Sequence, residues 1–378
     1  MEGIFYAFAE SIEYVRGEVL ALFDALHESE LDRLQRQERK IDAESMDSIE
    51  SVLIELSSSN ERLTKAMYGR RLTKGRWYRF HLYEKGLTKA RIFSAPMNHE
   101  GLSTAADYPQ WLDRRTPEVR WLEHNLSLDA FPDATPEQIL KSLNVGDMAS
   151  IVCYNVGQGM CAAGCSSLGN PVIYYDFGGG FGSNSHTYPS GLKFCFNQQP
   201  VVLSHWDMDH WISAVKYPAI TQGVWLVPRQ GPLGVKATQL AYKISQNGTL
   251  LIWPRNLNAL HMSFGNVLKL RPHSNRNHSG LVGIVQVSTN GHIDTVLLPG
   301  DAPYKKIPLT GRNFTGLVAT HHGGWHKGDK IPVPSNHTRV AFSYGMGNTY
   351  GHPVAIALGR YAQAGWLSRF DTPKGTYV

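Results

Sequence analysis

The sequence predicts an α/β protein in which two packed β-sheets are flanked by helices, preceded by a mainly helical amino-terminal region with one β-hairpin. Three patterns carry this prediction. Short apolar runs of strand length, separated by glycine-rich turns, fill the chain from Ala149 onward. Helical patterns lie between and after these runs. Apolar residues recur instead at spacings of three and four over residues 4–26 and 44–65.

The two amino-terminal helices are predicted from these apolar stripes. The first covers residues 4–26, and a charged stretch from Glu28 to Lys40 continues it with weaker periodicity. Such stripes need a partner surface, so we expect them to pack on the rest of the chain or to join two copies into a homo-oligomer. The stripe positions are Ile4, Phe8, Ile12, Val15, Val19, Leu22 and Leu26 in the first helix, and Met46, Ile49, Leu53 and Leu56 in the second.

A β-hairpin is predicted next. Residues 76–83 alternate in period two, turn at residues 84–86 and resume over residues 90–93. Arginines and aromatic residues interleave there, as they do on a nucleic-acid platform. A half-buried edge hairpin accounts for the same pattern equally well.

A short helix and a domain boundary follow the hairpin. Thr135-Pro-Glu-Gln138 supplies an N-cap, a proline at the first helical position and a capping-box partner for a helix that ends near Leu143. The turn after this helix is our predicted boundary. It divides the chain into residues 1–147, with an accessory or oligomerisation role, and residues 148–378, with a catalytic role.

The second part is predicted to alternate strands and helices. Helices are expected over residues 208–217, 235–246 and 353–364. Strands are expected over residues 149–156, 171–177, 200–204, 223–228, 249–253, 265–271, 281–288, 294–299, 315–320 and 338–344.

Composition is that of an ordinary globular protein, with 42% hydrophobic residues in 378. No apolar run approaches the roughly 18 to 20 residues that span a bilayer, and the acidic amino terminus is unlike a signal peptide. The cysteines lie in one apolar region, typical of reduced, buried thiols, so we expect a cytoplasmic protein without membrane contact. Metal binding by Cys161 and Cys165 is the alternative, but no second close pair follows them.

Charge is divided unevenly along the chain. Residues 1–144 carry 19 lysines and arginines against 24 acidic residues, a net charge of −5. Residues 145–378 carry 18 against eight aspartates and no glutamate, a net charge of +10. A basic surface favours an anionic substrate, and long polyanions above all. A charge balance that serves only solubility is the alternative explanation.

The segment from Pro200 to Trp211 concentrates metal-binding chemistry. A short apolar run predicts a buried strand, which delivers His205, Asp207, Asp209 and His210 into the turn that follows. Imidazole and carboxylate are the donors that Zn²⁺ or Mn²⁺ takes, and alternation along the turn aims the four side chains in two directions. This arrangement suits two ions side by side. A polar loop that caps a helix is the alternative, and four donors within six residues argue against it.

The pattern His-x-Asp-x-Asp-His after a strand resembles the signature loop of the metallo-β-lactamase superfamily, with Asp207 where the commoner form has histidine. The aspartate form is similar to that of the nuclease domain in bacterial DNA-uptake proteins of the ComEC type. The resemblance implies an αββα sandwich over about residues 148–378 that holds two metal ions, Zn²⁺ or Mn²⁺. It does not cover residues 1–147, and it includes no membrane channel.

Further motifs match this family in the same order. Residues 155–159, Asn-Val-Gly-Gln-Gly, resemble the family's opening motif, but Asn155 and Met160 stand where it has aspartates. The resemblance implies that Asp301, after a strand, bridges both ions. It also implies that one histidine of the pair after the next strand completes the second ion's shell, and of His321 and His322 we favour His321, the first residue off the strand.

Four more residues have roles that the resemblance implies. Asp176 would brace the ligand loop through hydrogen bonds, although an aspartate that opens a glycine turn is ordinary. His278 stands roughly where the family supplies a histidine to the first ion, and a surface histidine is an equal alternative. The segment Ser343–Pro353 is close to the family's carboxy-terminal signature, in which His352 would face the phosphate or protonate the leaving oxygen and Asn348 would contact substrate.

These features together predict a two-metal phosphodiesterase that cleaves DNA or RNA, with Asp209 and His352 as catalytic residues. A role in handling foreign DNA is suggested by the resemblance alone. One alternative is a hydrolase of a small anion such as a cyclic nucleotide. Another is a regulatory module that binds nucleic acid without cutting it, which the changes at Asn155 and Met160 favour and the intact ligand set does not.

Overall fold

The computed structural model describes residues 2–36, 41–98, 100–289 and 291–375. Within these residues the chain is mixed α/β with three β-sheets. It separates into two compact units. Unit 1 comprises residues 1–131 and 230–246, and unit 2 comprises residues 132–229 and 247–378. Residues 230–246, which follow the predicted ligand loop in sequence, therefore belong to the same unit as the amino terminus.

The helices are short, and across the described residues each is too short or too polar to span a bilayer. The α-helices are α1 (Glu28–Arg36), α2 (Ala43–Asp47), α3 (Asn60–Ala66), α4 (Pro117–Asn125), α5 (Pro136–Ser142), α6 (Ser213–Lys216), α7 (Val235–Asn247) and α8 (Ala355–Gln363). Turns of 3-10 helix cover Gly182–Thr187, Met208–His210, Pro218–Gln222, Arg276–His278, Tyr304–Lys306, Thr320–Gly323 and Thr372–Lys374.

Unit 1 is built on a seven-stranded antiparallel sheet. Its strands are β1 (Gly3–Val15), β2 (Glu18–His27), β3 (Val52–Ser59), β4 (Trp77–Tyr83), β5 (Thr88–Phe93), β6 (Leu102–Ala106) and β7 (Gln110–Trp111). They lie in the order β1-β2-β3-β5-β6-β4-β7, and β1 pairs with β4 as well as with β2. The first six strands therefore close into a ring around a core that includes Phe23, Tyr78 and Phe80.

The amphipathic helix predicted over residues 4–26 is wrong, because this segment forms β1 and β2. Arg16 and Gly17 adopt φ values of +51° and +85° in the turn between these strands, a left-handed conformation that a helix cannot contain. Phe8, Val19 and Leu22 are buried, and apolar residues on both faces of the strands produce spacings of three and four without a helix. The apolar residues of this segment, which were expected to join two copies of the chain, are therefore largely buried.

Two further predictions for this region are wrong in part. β3 interrupts the helix predicted over residues 44–65, leaving only α2 and α3. The strands of the predicted hairpin exist as β4 and β5, but β6 lies between them in the sheet. In the charged stretch, α1 covers Glu28–Arg36, and residues 37–40 lie outside the described residues. The amino-terminal region is therefore mainly β rather than mainly helical.

Unit 2 begins with α5, which has the predicted capping box between Thr135 and Gln138, and contains two sheets. The strand segments predicted after Ala149 are all present, whereas β9, β14 and β20 were not predicted. The strands are β8 (Ser150–Cys153), β9 (Ala162–Cys165), β10 (Pro171–Tyr175), β11 (Val201–Val202), β12 (Val224–Val227), β13 (Thr249–Ile252), β14 (Ala259–Met262), β15 (Gly265–Lys269), β16 (Leu281–Thr289), β17 (His292–Leu298), β18 (Phe314–Val318), β19 (Pro334–Phe342) and β20 (Ser368–Asp371).

The two sheets of unit 2 share one apolar core. One sheet has the order β13-β12-β11-β10-β9-β8 and the other runs from β14 to β20 in sequence order. Ile173 and Leu226 of the first sheet and Val285 and Leu298 of the second belong to the same buried cluster. Strands β10 to β13 are parallel, as are β17 to β20. Because the carboxyl ends of parallel strands meet at one edge of a sheet, the loops after them gather there.

Candidate metal centre

The predicted motifs lie on loops that follow the carboxyl ends of strands. In the first sheet of unit 2, the neighbouring parallel strands β10 and β11 lead into Asp176 and into the segment 205–210. In the second sheet, the parallel strands β17, β18 and β19 lead into Asp301, the pair 321–322 and the loop that contains His352. Strand direction thus brings together side chains that are up to 176 positions apart in sequence, from Asp176 to His352.

One set of donor atoms surrounds one oxygen of Asp301. The Oδ1 atom of Asp301 lies 3.1 Å from Nε2 of His210 and 3.7 Å from Nε2 of His322. The Asp209 carboxylate closes the set, with Oδ2 at 3.1 Å from His322 Nε2 and Oδ1 at 3.9 Å from His210 Nε2. We call this set, made of Asp209, His210, His322 and Asp301 Oδ1, position B.

A second set surrounds the other oxygen of Asp301. The Oδ2 atom lies 3.7 Å from Nε2 of His205 and 3.8 Å from Nε2 of His321. Asp207 Oδ2 lies 3.0 Å from His205 Nε2. We call this set, made of His205, Asp207, His321 and Asp301 Oδ2, position A. The two histidines after β18 therefore face different oxygens of the same carboxylate.

These donors fit a metal ion. The Nε2 atoms of His205, His210 and His322 and the Oδ1 atom of Asp301 are buried and form no hydrogen bond of good geometry. Their close contacts at 3.0 to 3.1 Å are with one another and with the carboxylates of Asp207 and Asp209, a buried cluster of metal donors that a cation would satisfy. Two ligands at about 2.1 Å from one tetrahedral zinc are about 3.4 Å apart, close to the separations observed. Among the described residues of unit 2, two groups of three donors lie within 4.8 Å of one another, and neither contains a cysteine. Asp209, His210 and His322 form a group within position B, whereas His205, His210 and Asp301 form a group that joins donors of positions A and B.

Neighbouring charges shift the pKa values of Asp301 and His210. Burial raises the pKa of Asp301, but the charges of His210 and His321 outweigh it and hold this pKa well below its usual value. Burial likewise lowers the pKa of His210, but the carboxylates of Asp301 and Asp176 outweigh it and hold this pKa well above its usual value. A metal that binds His210 Nε2 must displace a proton from it, so metal binding should strengthen as pH rises.

Asp176 orients the ligand loop from behind. Its carboxylate accepts hydrogen bonds from the Ser204 N–H at 2.6 Å, from Ser204 Oγ at 2.8 Å and from His210 Nδ1 at 2.7 Å. Because Nδ1 of His210 keeps its proton toward Asp176, loss of the other proton leaves the lone pair of Nε2 facing position B. The buried Asp176 itself has a φ of +56°.

Glycine loops hold the backbone of Asp209. The carbonyl of Asp209 accepts hydrogen bonds from the Met160 N–H at 3.0 Å and the Gly179 N–H at 3.1 Å. A Cβ at Gly178 would lie 1.6 Å from that carbonyl oxygen, so only glycine allows this approach. Asn155 Oδ1 accepts from the Gly157 N–H, and Met160 is buried in the core. Asn155 and Met160 therefore have structural roles in the loops beside Asp209.

The segment that contains His278 contributes through two neighbouring residues. Asn277 Nδ2 donates to Asp301 Oδ2 at 3.2 Å, and Arg276 Nε lies 2.9 Å from Asp207 Oδ1. The ring of His278 lies 4.7 Å from that of His273, and the three-donor sets found in the described chain do not include it. The sequence singled out His278 for its position in this segment, whereas Arg276 and Asn277, which make these contacts, were not predicted as site residues.

His352 stands beside the centre in a fixed loop. Its ring centroid lies 5.1 Å from that of His321. The Asn348 side chain donates to the carbonyls of Gly345 and His352 and accepts from the His352 N–H, so its amide is engaged within the loop. Gln158 Oε1 accepts from the Gly345 N–H, which directs Gln158 Nε2 to His352 Nδ1 at 3.4 Å. The sequence signal for Gln158 was its place between two glycines.

No protein-family model matches this chain, and no curated protein matches it significantly. Its function must therefore be inferred from the residues of the centre.

Proposed function

We propose that this protein is a metal-dependent hydrolase of phosphodiester bonds that acts on nucleic acid. One observation carries the proposal: the two oxygens of the buried Asp301 face two different sets of histidine and carboxylate donors. A carboxylate between two such sets is the arrangement that hydrolytic two-metal centres use. The motif order and the two sheets that share a core support assignment of unit 2 to the metallo-β-lactamase type of sandwich.

The proposal includes two divalent ions, Zn²⁺ or Mn²⁺, held at positions A and B. When bound, such ions polarise the phosphoryl group and promote the ionisation of water. Asp207 supplies an oxygen where a nitrogen donor is commoner in the resembling family, which favours Mn²⁺ at position A.

The chain's own residues prepare the leaving group. Because Gln158 Nε2 donates to Nδ1 of His352, neutral His352 carries its proton on Nε2. Hydrolysis joins the oxygen of water to phosphorus and breaks the bond from phosphorus to the leaving oxygen, which must gain a proton. His352 Nε2 is the donor that we assign to this step.

Charge supports a polymeric anionic substrate. Residues 145–378 carry a net charge of +10 and no glutamate. Lys305 and Lys306 lie close to His278: after burial, their charges are among those that lower the pKa of His278 to about 4. A protein that neutralises several phosphates binds nucleic acid with a steep salt dependence.

The test is binding of a DNA oligonucleotide by an Asp209→Asn variant, chosen to suppress cleavage, between low and near-physiological salt. Affinity should fall by about 0.7 to 0.9 log units per log unit of salt for each phosphate neutralised. Asp147→Asn, which changes an exposed aspartate, should cleave like the wild type. If the protein hydrolyses a cyclic nucleotide but binds no oligonucleotide, its substrate is a small anion and not nucleic acid. Binding without cleavage by metal-loaded wild type would show a regulatory module instead.

A further inference from the structure

We propose that Arg276 makes the two metal positions unequal, so that one ion binds tightly at position B and a second binds weakly at position A. This inference rests on the proposed function, because it concerns the ions which that function requires. It concerns the pair formed by Arg276 and Asp207, the latter being a donor of position A. The tight ion should be retained through purification, and the weak one should follow the concentration of free metal.

The pair is close and buried. Arg276 Nε lies 2.9 Å from Asp207 Oδ1, and both side chains are only 4% exposed. The other oxygen of Asp207 lies 3.0 Å from His205 Nε2. The carboxylate of Asp207 is therefore divided between a permanent cation and the place where an ion would bind.

The backbone that carries Arg276 is held in place. Asn275 Oδ1 accepts from the Asn277 N–H, and the Asn275 carbonyl accepts from the His278 N–H. The Arg276 carbonyl in turn accepts from the Ser279 N–H. Asn277 is also tied to Asp301 through its side chain. These contacts hold the main chain at Arg276, from which its side chain reaches Asp207.

The charge of Arg276 cannot be removed, and this distinguishes position A from position B. An arginine side chain stays protonated in proteins, so an ion at position A shares Asp207 with a like charge in a buried place, where such repulsion is strong. The ion-pair partners of Asp209 at position B are His210 and His322. Both histidines are themselves donors of position B, so these partners of Asp209 would be ligands of the ion rather than competing cations.

The experiment is a titration of the metal-free full-length protein with Mn²⁺, followed by calorimetry and by the electron paramagnetic resonance of free Mn²⁺. The wild type should show one tight and one weak step. Arg276→Met, which keeps the apolar stem and removes the charge, should tighten the weak step on the order of 10- to 100-fold, the usual scale for residues that support metal ligands. Arg276→Lys should leave that step weak.

Two controls complete the design. Arg271→Met removes an exposed arginine from the same segment and should leave both steps unchanged. Asp207→Asn should abolish the weak step and spare the tight one, which tests the assignment even if Arg276→Met does not fold.

The outcomes separate this inference from the proposed function. Two steps of equal affinity in the wild type, or a weak step that Arg276→Met leaves unchanged, would overturn the inference and leave a metal-dependent hydrolase standing. Absence of any bound Mn²⁺ or Zn²⁺ would overturn both.

Discussion

Asp176→Asn should weaken metal binding without touching a ligand atom. In the wild type, the two oxygens of Asp176 accept from the Ser204 N–H, from Ser204 Oγ and from His210 Nδ1, at 2.6 to 2.8 Å. Asparagine has one oxygen and one NH₂ group in the same space. If its oxygen keeps the short bond to the Ser204 N–H, which Asp176 accepts through Oδ1, its NH₂ group faces His210 Nδ1.

The size of the effect follows from the tautomer of His210. An NH₂ group beside Nδ1 requires Nδ1 to accept, which moves the proton of a neutral imidazole to Nε2. Nε2 is the atom that faces Asp301 at 3.1 Å, and a protonated nitrogen cannot bind a metal. Changes of this kind cost about 10- to 100-fold in metal affinity, or about 1.4 to 2.7 kcal/mol.

The assay is competition for Zn²⁺ between the protein and a chromophoric chelator, at a pH where the wild type binds fully. Asp147→Asn makes the same chemical change at an exposed position and should bind like the wild type. Thermal unfolding of both metal-free variants checks that the fold is retained. A dissociation constant for Asp176→Asn within twofold of the wild type would refute the tautomer argument.

Two further predictions concern single side chains. Gln158→Leu should lower kcat by about 100-fold or more, the scale of general acid catalysis, while KM and metal content stay unchanged. An unaltered kcat would show either that His352 does not act in the reaction or that Gln158 does not fix the tautomer of His352. Burial lowers the pKa of Lys269 to about 8, against about 10.4 when unfolded. Between these pH values the unfolded chain binds more protons than the folded chain, so the free energy of unfolding of the wild type rises with pH. Relative to Lys269→Met, which lacks this group, it should rise by up to about 3 kcal/mol from pH 7 to 11. Denaturant unfolding measures this, and parallel pH profiles for the two proteins would contradict it.

Local information in the sequence was sufficient for much of unit 2. Buried strands are short apolar runs bounded by glycine and polar turns, so segments such as β12 and β16 are visible without knowledge of their partners. The capping box of Thr135 and Gln138 depends on residues three apart, and it formed as predicted. Donor chemistry is equally local, since His205, Asp207, Asp209 and His210 follow one strand directly.

Only the tertiary structure determined which strands pair and which side chains meet when they lie far apart in sequence. β1 and β2 are apolar on both faces because the interior of the closed sheet buries one face and helices such as α1 and α4 cover the other, and a spacing pattern does not distinguish that from a helix. β6 separates β4 from β5 because strand pairing is set by packing across the sheet, which period two does not encode. At the centre, the sequence identified His321 and His322 as a pair, but only the folded chain shows that they face opposite oxygens of Asp301. Arg276 lies against Asp207 for the same reason: a contact across 69 positions exists only after the two loops meet at the sheet edge.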